Sequence, residues 1–66
     1  MKIDGRNSTK AEIFYDPETK VIELHVLNSD GDWSTAEFSL GKSKQFRKAW
    51  NKAITAIEGE EEDGGL

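Results

Sequence analysis

Cysteine is absent from this chain, and histidine and proline occur once each. Without Cys there is neither a disulfide nor a cysteine-based zinc site. His25 stands alone between Leu24 and Val26, so no metal cluster and no nucleophile with its base can be assembled around it. A P-loop, a G-x-G-x-x-G turn, a G-x-S-x-G elbow and EF-hand spacing are all missing. Asp30-Gly31-Asp32 reads as turn chemistry. These absences argue against an enzyme and against any metal or cofactor. No stretch approaches about 18 apolar residues, and no apolar run follows the basic start. Neither a membrane span nor a secretory signal is expected, and the default is a cytoplasmic protein.

What is present is small: 66 residues, 35% of them apolar. That is enough for one domain only. A domain of about 60 residues hides only about 60% of the surface of its unfolded chain. With disulfides excluded, association is the main remaining source of burial.

The net charge of −4 hides an uneven distribution. Glu58 to Leu66 holds five acids (Glu58, Glu60, Glu61, Glu62, Asp63) and no base, while residues 1–57 hold nine bases against eight acids, a net of +1. Lys10 to Leu40 is acidic, with seven acids against two bases, whereas Gly41 to Ile57 holds five bases and no acid. The chain is dipolar along its length.

Residues 1–9 are polar apart from Met1 and Ile3 and are expected to form a flexible arm. AEIFY and VIELHVL read as two strands around DPETK, in which Pro17 starts a turn and Lys20 closes it in a left-handed conformation. A four-residue Pro17–Lys20 loop sets Tyr15 opposite Ile22 and Ile13 opposite Leu24, giving one apolar row of Ala11, Ile13, Tyr15, Ile22, Leu24 and Val26. A three-residue loop would exchange Ile13 and Tyr15 for Phe14. In the next hairpin Leu24 and Val26 must meet Ala36, Phe38 and Leu40, which needs an odd loop. Ser29-Asp30-Gly31 supplies it, with Gly31 at positive φ.

Phe46, Ala49, Trp50, Ala53, Ile54 and Ile57 then recur at helical spacing. Ser43 is the expected N-cap and Gly59 the expected stop. The expectation is an α+β fold, a three-stranded antiparallel β-meander packed on one C-terminal helix (β-β-β-α) over residues 10–58. A disordered acidic tail follows over residues 59–66. About fourteen side chains would form the core.

The sheet face turned away from the helix would carry Phe14, His25 and Trp33 among Glu12, Glu23 and Glu37. Exposed aromatics on an open sheet mark an interaction surface. A homodimer, base stacking on Phe14 and Trp33, and docking of another protein all remain open. On the helix, Lys42, Lys44, Arg47, Lys48 and Lys52 gather at a terminus whose dipole is already positive. Nucleic-acid phosphates are the leading ligand, single-stranded DNA or RNA, with the acidic tail as a competitor for the same cations. The alternative is a protein-binding regulator or inhibitor of phage type, docking its acidic and aromatic sheet face on a basic host protein.

The order of elements adds a resemblance. Asp30-Gly31-Asp32 in the turn, Phe38-Ser39-Leu40 at the strand end and Gln45-Phe46 near the helix start resemble the C-terminal domain of the positive-cofactor-four-like transcriptional coactivators, over about residues 10–57. That resemblance implies a domain that dimerises and binds single-stranded DNA. GKSKQFRKAWNKAI is also similar to the last helix of double-stranded-RNA-binding domains, where lysines at the helix start meet phosphates.

Overall fold

The computed structural model describes residues 1–64. Four strands and one helix follow each other along the chain: β1 (Lys2–Asp4), β2 (Lys10–Asp16), β3 (Val21–Leu27), β4 (Trp33–Ser39) and α1 (Leu40–Gly64). The strands form one antiparallel sheet in the order β1-β2-β3-β4.

The expected three-stranded meander is therefore corrected to four strands, because the supposed arm is β1. Lys2, Ile3 and Asp4 pair with Glu12, Ala11 and Lys10. The return is made by Asn7 and Ser8, which adopt φ of 56° and 64°. Asn tolerates the left-handed region because its short polar side chain bonds locally. The turn is closed by Gly5 N–H donating to the Thr9 carbonyl at 2.8 Å and Thr9 N–H donating to that of Arg6 at 3.1 Å. At the strand end Ile13 N–H donates to the Met1 carbonyl at 2.8 Å, and the Met1 amino group donates back to the Ile13 carbonyl at 3.0 Å.

The other two hairpins follow the apolar pattern. Tyr15 faces Ile22 and Ile13 faces Leu24, with Lys20 at φ 59°. Leu24 faces Ala36 and Ile22 faces Phe38, with Gly31 at φ 91°. Asn28 organises this second turn, its Oδ1 accepting the N–H groups of Asp30 and Asp32 at 3.0 Å each.

β4 runs into α1 without a loop. Ser39 rather than Ser43 caps the helix, its Oγ accepting the Lys42 N–H at 3.3 Å, the N-cap to N3 bond that satisfies an orphan donor. The helix also passes through Gly59, the expected stop, and reaches Gly64. Residues 60–64 of the expected acidic tail are thus helical, and residues 65–66 lie outside the described ones.

Length decides how the helix meets the sheet. A 25-residue helix is about 37 Å long, whereas a seven-residue strand spans about 23 Å. The surplus projects, and the longest dimension is 48 Å. The radius of gyration, 14.9 Å, exceeds the roughly 11 Å of a compact chain of this length. Helix and sheet meet where Phe38 approaches Phe46 with ring centroids 5.8 Å apart. Beside this contact lies an open apolar cleft of about 200 Å³, lined by Ile13, Ile22, Leu24, Phe38, Ser43 and Phe46. The expected core of fourteen side chains does not form: among the described residues none is buried.

Candidate functional site

The helix carries the strongest concentration of charge. At about 100° per residue, Lys44, Lys48 and Lys52 form one row on successive turns, opposite the apolar stripe of Phe46, Trp50, Ala53 and Ile57. Arg47 lies at the edge of that row. Lys42 falls on the stripe's side, so the five cations named from the sequence divide four to one. All five are exposed, and among the described residues none of them has an ion-pair partner.

This arrangement works against the helix. Lysines four residues apart repel by about 0.2–0.5 kcal/mol per pair. The first turn holds no acid and the last holds no base, the reverse of what the macrodipole favours.

The far face of the sheet carries the other candidates. Phe14 and His25 meet edge to face, with centroids 4.9 Å apart, and His25 Nε2 lies 3.4 Å from a Glu23 carboxylate oxygen. Phe14 is 47% exposed and Trp33 51%. They do not act together: Trp33 is four residues from Glu37, which lies in Phe14's cross-strand row through Glu23. With the strand and inter-strand spacings this separates them by roughly 16 Å. Both also lie on the sheet face opposite α1, so the cations and these aromatics do not line one surface. A shallow basin of about 440 Å³ adjoins Phe14, bounded by Tyr15, Asp16, Glu23 and Glu37.

The aromatics nearest the cations are ones the sequence pattern assigns to a core. Phe46 and Trp50 stack with centroids 5.8 Å apart and planes 20° inclined, and Trp50 is 61% exposed. Their spacing is that of a core face, and it is the limited contact of α1 with β3 and β4 near Phe38 and Phe46 that leaves them exposed.

Among the described residues no group of three or more His, Cys, Asp or Glu is placed to hold a metal ion, and no helix is long and apolar enough to cross a membrane. Comparison with family models, with curated proteins and with solved structures gives no match to this chain.

Proposed function

We propose that this chain is a cytoplasmic, non-enzymatic binding module that takes nucleic acid along the solvent face of α1, with Lys44, Lys48 and Lys52 on the phosphates. The observation that carries this reading is the row itself. Three like charges on successive turns of α1, with no acid beside them, cost stability in the free protein. Phosphate contact turns that cost into attraction and releases counterions. Lys42, set apart from the row, contributes to the field at the helix start. The resemblance of the Asp30–Asp32 turn and the Phe38–Phe46 segment to the positive-cofactor-four-like coactivators points the same way. Phe14 and Trp33 have no part in this surface.

The test is a fluorescence-anisotropy titration of a labelled single-stranded oligonucleotide over a range of salt. Affinity falls steeply with salt, and Lys44→Glu with Lys48→Glu and Lys52→Glu abolishes binding. Three phosphate contacts account for roughly 2 of the logarithmic salt slope of the native protein. Binding that survives the triple reversal would overturn the reading.

The basin beside Phe14 favours a second reading, a regulator that docks a basic segment of another protein on its acidic and aromatic sheet face. Phe14→Ala and Glu23→Lys then remove the partner while oligonucleotide binding persists. Retention of every partner by both variants excludes it.

A further inference from the structure

Among the described residues none is buried, and beyond the Phe38–Phe46 contact α1 bears an apolar stripe that the sheet leaves largely exposed. Phe46, Trp50, Ile54 and Ile57 are 45%, 61%, 41% and 59% exposed, although they occupy one helical stripe. On either side of that stripe the charges are segregated along the axis, basic toward the sheet and acidic from Glu58 onward. Because α1 is one continuous helix to Gly64, its acids cannot fold back onto its own bases. Arg47 and Glu58 are separated by eleven residues, about 16 Å of rise. The complementarity is real but unusable within one chain.

Eleven residues also make three turns to within about 20°, so Arg47 and Glu58 stand on the same flank of the apolar stripe. In a two-fold antiparallel pair of helices, like flanks meet. Setting Arg47 of one copy against Glu58 of the other places the axis between residues 52 and 53. The stripe from Phe46 to Ile57 has its midpoint within about one residue of that axis. Charge and apolar pattern thus agree on the register to within about two residues, less than one helical turn. The opposite flank is occupied by Ala49 and Ala56, which face each other in that register and let the backbones approach. Antiparallel packing also sets each basic, dipole-positive end beside an acidic, dipole-negative one, relieving the unfavourable polarity of the single helix.

We infer that α1 is the self-association element of this protein, pairing antiparallel with α1 of a second copy through the Phe46–Ile57 stripe, with Arg47 and Glu58 forming reciprocal ion pairs. The Lys44, Lys48 and Lys52 row faces away from the seam, so the pair carries two basic ridges on its outside. A dimer through sheet faces or strand edges makes no use of this helix pattern.

Sedimentation equilibrium and disulfide trapping test the inference, on a chain whose lack of native cysteine gives a clean background. The native protein is a dimer. Arg47→Glu and Glu58→Arg each weaken association roughly tenfold or more, because two pairs are reversed per dimer. The double variant recovers it, and the two single variants mixed form a heterodimer. Under mild oxidation Ala49→Cys mixed with Ala56→Cys gives the mixed disulfide, in preference to either variant linked to itself. A native chain that stays monomeric, single reversals that leave association unchanged, or Ala49→Cys linking chiefly to itself each overturn the proposal. Since both reversed positions are exposed, unchanged far-ultraviolet circular dichroism confirms that any loss lies in association rather than folding.

Discussion

Phe38 at the end of β4 and Phe46 in the second turn of α1 meet with ring centroids 5.8 Å apart and planes inclined by 41°. This contact joins the sheet to a helix that otherwise projects from it. Truncating Phe46 to Ala therefore costs about 1–2 kcal/mol, less than a fully buried Phe because nearly half of the ring is already in water. Urea unfolding of the variant measures it. A cost near zero would mean that helix and sheet are held by something other than this pair.

Two glycines are expected to respond in opposite senses. Gly59 lies inside α1 with open space where a Cβ would stand, so Gly59→Ala raises helix stability by about 0.5–1 kcal/mol. Gly31 also has open space but sits at φ +91°, and Gly31→Ala lowers stability by about 1 kcal/mol or more through backbone strain. Thermal melts followed by circular dichroism distinguish the two.

Ser39 and Ser43, four residues apart, play unlike parts. Ser39→Ala removes the cap on the Lys42 N–H and costs about 1 kcal/mol. Ser43 Oγ is buried in the cleft and makes no hydrogen bond, so Ser43→Ala is neutral or stabilising. Chemical denaturation of both variants under one buffer gives the comparison.

The first strand makes a prediction for hydrogen exchange. The Ile13 amide is protected by the Met1 carbonyl, and deleting residues 1–4 exposes it at an edge of the sheet. Exchange at Ile13 then rises sharply, while the Leu24 amide, in a strand paired on both sides, keeps its protection. The Lys2–Glu12 pair, 4.0 Å apart with Lys2 at 83% exposure, contributes little to this, and Lys2→Ala leaves exchange almost unchanged.

Much of the fold was legible because strand parity is a local property. Once Pro17–Lys20 and Ser29–Gly31 are taken as the loops, Ile13, Leu24 and Ala36 must share a row, and they do. β1 was not legible by the same rule, since only Ile3 carries apolar character in it. Its signal was conformational instead, in Asn7 and Ser8 accepting left-handed geometry. The helix stripe was legible from Phe46 to Ile57, yet its covering was not. Periodicity marks a face for burial without saying what buries it, and taking Gly59 as a stop shortened the helix to a length the sheet could match. The basic positions were named from their clustering without acids over Gly41–Ile57, at the start of the expected helix. Only the helical geometry sets Lys42 apart from the Lys44, Lys48 and Lys52 row, and only the strand rows separate Phe14 from Trp33.

The strand order β1-β2-β3-β4 has a kinetic consequence. Every strand pairs with its neighbour in sequence and α1 follows directly, so the strand pairings close short loops, and only the contact of α1 with β3 and the cleft it shares with Ile13 span a longer stretch of chain. The single chain therefore acquires its hairpins and helix quickly, by first-order steps independent of concentration. Any burial that a second copy adds arrives afterwards in a bimolecular step, and the refolding trace separates into a fast phase that ignores dilution and a slow one that follows it.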